Sequence, residues 1–384
     1  MHDTVPATAC GRRYVDFPMT LEHTLKKLAS YKTTTGNKTE VLKAYDWIKD
    51  ELQPIPTYIR EYDVHDHLTL VVTPGRSKHV TLWLAAHIDV VPGEDALFTP
   101  QKRGNRLYAR GVYDMKFAVA SYVELLKEFG TELVAYDVGV MLTSDEEWGG
   151  HYGVQHLLGR EGFRGDVAFL PDGTGVWMFE EQAKGKWLVE VSTTGKAAHG
   201  AHPWLGRSAN DELCSFLHDM VQGFAHMATP RTVDHWHATV NVGRVKGGTV
   251  ANVVAPHAHA LLDIRYVSKA ERVRIRRLFS TLTKKYPHTR VHTMQDDAPY
   301  GIARHNKYAK LWQDIAHERY GVHCGWSRAH GASDARFFNE HGIPTILISP
   351  RGGGAHGDRE WVDLKDLQRY HEVLRSFVEA VARR

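Results

Sequence analysis

The feature that most constrains this chain is an alternation of short apolar strands with amphipathic helices. Runs of buried-strand character stand at 79–87 (HVTLWLAAH), 138–144 (VGVMLTS) and 166–170 (DVAFL). Between the first two, residues 115–129 repeat apolar side chains at helical spacing. Strands that are apolar throughout are typical of parallel sheets covered on both faces, and helices between strands indicate the α/β class. The pattern therefore predicts an α/β/α sandwich, which a further apolar strand at 343–350 would join.

The pattern changes near Lys184. A strand–helix–strand–strand–helix–strand order follows, with segments at 186–195, 206–222, 238–248, 257–267, 268–286 and 290–294. That βαββαβ order is the split, ferredoxin-like unit. Because the α/β pattern resumes near Pro299, we predict an inserted domain at 185–296 between two parts of a first domain, 1–184 and 297–384.

Charge and composition narrow the class of protein. The 48 basic and 45 acidic side chains give a net charge of +3, too balanced for nucleic acid or an anionic membrane as the main partner. No apolar run approaches a bilayer-spanning length, and the first twenty residues lack the apolar core of a secretory signal. Cys10, Cys214 and Cys324 form no C-x-x-C pair, so we expect neither a disulfide framework nor a cysteine metal site. These features predict a cytoplasmic protein with reduced thiols.

Acidic residues and histidines follow the predicted strands of the first domain. They are His87 and Asp89, Asp114, Glu146 and Glu147, Asp172, and His356. Each alone has an ordinary explanation as a surface pair, a helix cap or a turn residue. In open α/β sheets, however, the carboxyl ends of the strands border the ligand crevice. Together these imidazoles and carboxylates predict a site for divalent zinc, with cobalt or manganese as substitutes.

Hydrolysis by a pair of metal ions explains why these residue types are needed. Two ions about 3.5–4 Å apart share a bridging carboxylate and hold terminal ligands of their own. A base must also take the proton of the attacking water, and the adjacent carboxylates of Glu146 and Glu147 can divide these tasks. Asp89, two residues from His87, is placed to accept the second ring N–H of that histidine.

Nine ordered segments resemble the co-catalytic zinc exopeptidases and amidohydrolases, a family that includes acetylornithine deacetylase, succinyl-diaminopimelate desuccinylase, carboxypeptidase G, aminoacylase and several dipeptidases. The segments are AAHIDVVP (85–92), LYARGVYDMK (107–116), LTSDEEWGG (142–150), FLPDG (169–173), TGKAAHGAHPWLGRSAND (194–211), GGTVANVVAP (247–256), LLDIR (261–265), GASDARFF (331–338) and GGGAHGDREWV (352–362). The resemblance covers nearly the whole chain. It implies a zinc-binding α/β domain with an inserted lid that commonly dimerises.

The resemblance also implies a role for each matching residue. One zinc would be held by His87 and Asp172 and the other by Glu147 and His356, with Asp114 bridging them. The remaining implied roles are the general base Glu146, the residue Asp89 that orients His87, the residue His199 that polarises the scissile carbonyl in a partner subunit's site, and the substrate-carboxylate ligands Asn252 and Arg336. Glu360 matches a glutamate that many relatives have near the site, and its role stays open.

Three of these residues keep an alternative interpretation. Arg336 can be a structural salt-bridge partner and Asn252 a turn residue. His202 competes with His199, although the context Gly195-x-x-x-His199 favours His199.

Three functions remain open from the sequence. In the resembled family, many peptidase-like members carry aspartate at the position of Asp172, whereas deacetylase-like and desuccinylase-like members often carry glutamate. The resemblance therefore favours a dipeptidase or carboxypeptidase that cleaves next to a free carboxylate. The alternative is an N-acyl amino acid deacylase of the deacetylase or desuccinylase type. A non-catalytic dimeric binding protein is the third, and Glu146 with the complete ligand set argues against it. We expect a homodimer that acts on a small peptide or N-acyl amino acid.

Overall fold

The computed structural model describes residues 17–173, 175–227 and 235–384. The helices in these residues are α1 (Phe17–Ser30), α2 (Lys38–Leu52), α3 (Lys116–Phe129), α4 (Val154–Gly159), α5 (Ala209–Met227), α6 (Lys269–Lys285), α7 (Lys307–Tyr320), α8 (Ala335–Glu340) and α9 (Leu364–Ala382). None of these helices combines the length and the apolar character that a bilayer crossing needs. Cys10 and the first sixteen residues, which bear on the secretory-signal interpretation, lie outside the described residues.

Strands of several sheets accompany these helices. They are β1 (Tyr58–Val64), β2 (His67–Thr73), β3 (His79–His87), β4 (Gln101–Arg103), β5 (Arg106–Tyr108), β6 (Val138–Thr143), β7 (Arg164–Phe169), β8 (Met178–Ala183), β9 (Gly185–Thr194), β10 (Thr239–Gly247), β11 (His257–Tyr266), β12 (Thr289–Asp297), β13 (Tyr300–Gly301), β14 (Gly325–Ala329), β15 (Thr345–Ile346), β16 (Gly352–Gly353) and β17 (Trp361–Asp363). The fold is therefore mixed α/β with several sheets, and the predicted class is confirmed at that level.

The chain divides into two compact units. The terminal unit contains the described residues up to Trp148 together with Ile315–Gly321 and Pro350–Arg384. The central unit contains Gly149–Asp314 and Val322–Ser349.

Four strands of the terminal unit pair in the order β1-β2-β6-β3. Strand β3 runs parallel to β6, whereas β2 is antiparallel to both of its neighbours. Every residue of β2 and β6 is buried, which explains why both strands are largely apolar rather than alternating between apolar and polar residues. His87, the last residue of β3, pairs with Thr143, the last residue of β6. The residues that follow the two strands are therefore neighbours.

Helices α2, α3 and α9 pack on these strands, and α1 packs on α3 and α9. Helix α3 is buried along most of its length, and its buried Glu124 and Lys116 have hydrogen-bond partners outside the helix. Glu124 accepts a hydrogen bond from Thr24 Oγ1 at 2.6 Å, and Lys116 Nζ donates to the carbonyl of Tyr31 at 2.8 Å. A buried polar group without a partner costs about 1–3 kcal/mol, so these bonds stabilise the packing of α3 against α1 and against the residue that follows α1.

A small antiparallel sheet in the terminal unit has the order β16-β17-β5-β4. Trp361 pairs with Tyr108, and Val362 pairs with Leu107. The segment before β17, which contains His356, is thereby brought next to the segment after β5.

In the central unit, strands β9 to β12 form an antiparallel sheet of order β10-β11-β9-β12. With α5 and α6, the chain order from β9 to β12 is βαββαβ. Residues of β9 and β11 alternate between buried and more exposed positions, because the two helices pack against this sheet. Trp187, Phe216, Ile264 and Phe279 belong to the shared core.

Candidate metal centre

Asp114 lies between two histidine rings in the terminal unit. Its Oδ1 is 3.1 Å from Nε2 of His87, and its Oδ2 is 3.1 Å from Nε2 of His356. The same nitrogen of His356 is 3.1 Å from Oε1 of Glu147. Each oxygen of one carboxylate thus faces a different imidazole, which is the placement that a bridging ligand needs.

The loop that carries His356 follows a glycine-rich segment. A Cβ at Gly352 would lie 2.1 Å from Cδ2 of Tyr113, so only glycine lets the chain pass that ring. Gly354 (φ 75°) and His356 (φ 63°) both have left-handed backbone conformations. A non-glycine residue in that conformation costs roughly 1–3 kcal/mol, and such residues cluster at functional sites.

Glu146 and Glu147 form a short 3-10 turn directly after β6. Ligand atoms of His87, Glu146 and Glu147 all lie within 4.8 Å of one another, and so do those of Asp114, Glu147 and His356. Glu147 therefore belongs to both groups, whereas Glu146 belongs to the group around His87. The division of tasks between the two glutamates stays a prediction.

Asp89 is fully buried and has a role that its spacing from His87 did not reveal. Its carboxylate accepts the backbone N–H of Glu146 at 3.3 Å and of Glu147 at 3.2 Å, and the hydroxyl of Thr35 at 2.9 Å. Nδ1 of His87 is 3.0 Å from the backbone carbonyl of Asp89 and 3.5 Å from its carboxylate. The backbone oxygen of Asp89 thus orients His87 more closely than the side chain does, and the side chain holds the acidic turn.

The cluster stabilises positive charge. Burial lowers the pKa of His87, but the carboxylates of Asp114 and Asp89 outweigh that effect and raise it well above its usual value. Hydrogen bonds to Asp114 and Glu147 raise the pKa of His356 to about 10. Burial raises the pKa of Asp114, yet the two imidazoles hold it below its ordinary value. Imidazoles and carboxylates in such surroundings fit divalent cations such as zinc.

Asp172 lies in the central unit, three residues after β7. Its turn is held by Ser349, whose hydroxyl oxygen lies 2.7 Å from the carbonyl oxygen of Pro171 and 3.0 Å from that of Gly173, so that its one proton can be donated to either. Burial and the charge of Asp172 raise the pKa of the neighbouring carboxyl of Glu180 well above its usual value. The assignment of Asp172 to the first metal position stays a prediction.

His199 and Asn252 lie on two paired segments of the central unit. His199 forms a β-bridge with Val253, and the N–H of Gly200 donates to the carbonyl of Asn252 at 2.7 Å. Both predicted residues are exposed and adjacent. Nδ1 of His199 accepts the N–H of Ala201 at 3.1 Å, so the neutral ring carries its proton on Nε2.

Arg336 is buried, and its guanidinium donates hydrogen bonds to backbone carbonyls. Nη1 donates to the carbonyl of Ser333 at 2.7 Å, Nη2 donates to the carbonyl of Gly149, and Nε lies 3.7 Å from Oδ1 of Asp297. The ring of Phe337 lies 4.2 Å from the guanidinium carbon. These contacts favour the structural role that the sequence also allowed over the binding of a substrate carboxylate.

Arg110 and Glu360 form a buried ion pair beside Asp114 at 3.2 Å. Sequence reasoning did not single out Arg110 and left the role of Glu360 open. The available signal was weak, because the partners are separated by 250 positions. Arg110 comes four residues before Asp114, and Glu360 comes four residues after His356.

Known proteins share both the sequence pattern and the fold of this chain. A family model described as Peptidase family M20/M25/M40 matches residues 83–380. Succinyl-diaminopimelate desuccinylase from Nitratiruptor sp. is 26% identical over 352 residues, which cover 83% of this chain and 93% of that protein. A probable carboxypeptidase from Paracoccidioides brasiliensis is 25% identical over 393 residues, which cover 95% and 86% of the two chains. The crystal structure of a tripeptidase from Staphylococcus aureus shares the fold with a TM-score of 0.77 at 20% identity, covering 96% of this chain and 99% of that one.

Proposed function

We propose, on the premise that the chain belongs to peptidase family M20/M25/M40, that its reaction takes place at a two-metal site centred on Asp114. Membership in this family makes the chain a metal-dependent hydrolase of amide or peptide bonds. The observation that carries the site is that the two oxygens of Asp114 each face the Nε2 atom of a different histidine at 3.1 Å.

In the proposed site, imidazole and carboxylate side chains would hold two ions. His87 and Asp172 would hold the first ion, Glu147 and His356 would hold the second, and Asp114 would serve both. Zinc suits this mixed set best, and cobalt or manganese can replace it. When bound, the ions supply Lewis acidity, which makes the attacking water more acidic and the scissile carbonyl more electrophilic. Asp172 is assigned from its sequence segment FLPDG.

Glu146 is the proposed proton-transfer residue. The carboxylate of Asp89 accepts the backbone N–H of Glu146. The carboxylate of Glu146 lies in the group of ligand atoms around His87. The ionised carboxylate takes a proton from the attacking water and then gives it to the amine nitrogen that leaves. Glu147, which belongs to both groups of ligand atoms, is the metal ligand of the pair.

Residues 185–296 form the proposed lid and dimerisation domain. Its exposed His199 can donate from Nε2 to the oxygen of the scissile carbonyl, because Nδ1 already accepts a backbone N–H. Asn252, on the paired segment, contacts the substrate in this proposal. A two-fold homodimer would let His199 of one protomer complete the site of its partner.

The proposed substrate is small and has a free carboxylate next to the scissile bond. Aspartate at position 172 and the 25% identity with a probable carboxypeptidase favour a dipeptidase or carboxypeptidase. The 26% identity with a desuccinylase favours the alternative, an N-acyl amino acid deacylase. Both activities cleave an amide beside a carboxylate.

A hydrolysis panel tests this proposal and separates its two forms. Dipeptides, tripeptides and N-acetyl and N-succinyl amino acids would each be incubated with the protein and with zinc, cobalt or manganese. Faster cleavage of the peptides identifies a peptidase, and faster cleavage of the N-acyl amino acids identifies a deacylase. Binding without turnover in both classes would overturn the proposal in favour of a non-catalytic binding protein.

A further inference from the structure

Two neighbouring loops of the terminal unit each carry a proposed metal ligand. The Asp114 loop, residues 109–115, connects β5 to α3, and the His356 loop, residues 354–360, connects β16 to β17. Each loop also carries one member of the buried ion pair, Arg110 on the first and Glu360 on the second.

Glu360 fixes the backbone of the Asp114 loop. Its Oε1 accepts the N–H of Tyr113 at 2.8 Å and of Asp114 at 3.0 Å. Its Oε2 accepts the N–H of Gly111 at 2.8 Å. The side chain is 1% exposed, so water does not replace these bonds.

Arg110 fixes the backbone of the His356 loop in return. Its Nη2 donates to the carbonyl of His356 at 3.3 Å, and its Nη1 donates to the carbonyl of Gly357 at 3.0 Å and to Oε2 of Glu360. Each loop thus uses one charged side chain to hold the main chain of the other loop at the residue that carries a proposed ligand.

We propose that Arg110 and Glu360 are positioning residues that set the separation of Asp114 and His356 and thereby the affinity of the metal site. This inference rests on the proposed function, because it takes those two residues as ligands. A buried ion pair contributes little net stability, since desolvation offsets the attraction between its charges. Fixing the orientation of two ligands is a gain that apolar packing at the same place would not supply. Partners that orient metal ligands typically change metal affinity by about 10–100-fold.

The hydrogen bonds made by Arg110 and Glu360 determine which substitutions test their roles. Glutamine at position 360 offers one acceptor oxygen and one NH₂ group. That NH₂ group would face either the amides of Tyr113 and Asp114 or the amide of Gly111 and the guanidinium of Arg110, so donors would meet donors. Lysine at position 110 keeps the charge, but one ammonium group cannot reproduce the fork that reaches both carbonyls and the carboxylate.

Glu128 supplies a matched control. It is a buried carboxylate of the same unit that pairs with His371 at 2.9 Å, with side chains 7% and 2% exposed. It links α3 to α9 and belongs to neither loop. E128Q therefore makes the same chemical change in a buried pair away from the proposed ligands.

The test is the zinc affinity of the full chain, measured by competition with a chromophoric chelator. We expect E360Q to bind zinc about 10–100-fold more weakly than wild type, R110K to change in the same direction, and E128Q to keep the wild-type affinity. Turnover of E360Q should recover as zinc is raised, which a loss of folded protein would not do. Wild-type zinc affinity in folded E360Q would overturn the inference. If E360Q does not fold, wild-type zinc affinity in R110K would overturn it instead.

A second readout does not depend on metal. In zinc-free protein, amide hydrogen exchange at Gly111, Tyr113 and Asp114 should be faster in E360Q than in wild type and unchanged in E128Q. Unchanged exchange would show that Glu360 does not fix the backbone of the Asp114 loop, and would overturn the inference. Failure of the wild-type chain to bind zinc would instead overturn the proposed function, so the two failures are distinguishable.

Discussion

At the scale of single residues, the geometry of the candidate centre depends on which oxygen of an acidic residue, backbone or carboxylate, faces each histidine. The sequence predicts that His87, Asp89 and Asp114 belong together, because they lie beyond the ends of predicted strands of the same α/β domain. It does not predict that the backbone oxygen of Asp89 lies closer to His87 than its carboxylate does. The choice between two oxygens of one residue depends on backbone direction after the strand, which residue spacing does not encode.

Replacement of Glu146 tests its assignment as the proton-transfer residue. E146Q removes the ionisable group but keeps the side-chain size, so we expect normal folding and metal content. Turnover should fall by roughly a hundredfold or more, because the attacking water loses its proton acceptor. The measurement is kcat together with the metal content of the same sample. Turnover near the wild-type value would remove Glu146 from this role.

Replacement of Arg336 separates its structural role from the predicted carboxylate clamp. R336K loses the fork that donates to the carbonyls of Ser333 and Gly149, so urea unfolding should show a loss of about 1–3 kcal/mol. Amidating the substrate carboxylate should slow wild type and R336K by the same factor. R272K, at another buried arginine with an acidic partner, is the control for stability. If amidation slows R336K less than wild type but slows R272K as much as wild type, the predicted role of Arg336 as a ligand of the substrate carboxylate would be supported after all.

At the scale of elements, apolar strands were more predictable than short polar ones. Strand β3 occupies the predicted range 79–87, and α3 lies within the predicted helical range 115–129. Within the predicted strand at 343–350, the residues that pair with β7 are Thr345–Ile346 of β15, because Pro344 lacks an N–H and β7 ends at Phe169. Ser349 forms a separate β-bridge with Val176. The hairpin β4–β5 was not predicted, since β4 is exposed throughout and shows no apolar periodicity.

The close approach at Gly352 gives a prediction for the loop that follows β16. In G352A the new Cβ would meet Tyr113 at 2.1 Å, so the segment that leads to His356 must shift. We expect a stability loss of about 1–3 kcal/mol and weaker zinc binding. G353A is the matched control, because its Cβ would lie at an ordinary 3.5 Å from Trp361. Equal zinc affinities of G352A and G353A would contradict this account.

At the scale of the whole molecule, the family resemblance is confirmed by the match over residues 83–380. The domain boundaries stay a prediction. The sequence suggests a boundary at 184/185, where the pattern of elements changes, whereas the compact central unit already begins at Gly149. A change of pattern marks where a new sheet starts, and compactness also depends on contacts between residues distant in sequence. The Arg110–Glu360 pair shows the same limit, because its partners lie 250 positions apart.

Mixing of inactive chains tests the proposed homodimer. If His199 serves the partner's site, heterodimers of an H199A chain and an E146Q chain contain one intact composite site and should regain part of the activity. H202A is the matched control, since the His199 and His202 rings lie 5.8 Å apart and His202 is the competing candidate. No recovery in confirmed heterodimers would count against a shared site.

The most direct test of the two-metal centre is anomalous diffraction from crystals grown with zinc. We expect two anomalous peaks per chain, one on the His87 side and one on the His356 side of Asp114, with nitrogen and oxygen ligands at about 2.0–2.2 Å. Crystals of D114A should lose at least one of the peaks. A wild-type crystal with zinc elsewhere, or with no peak beside Asp114, would contradict the account.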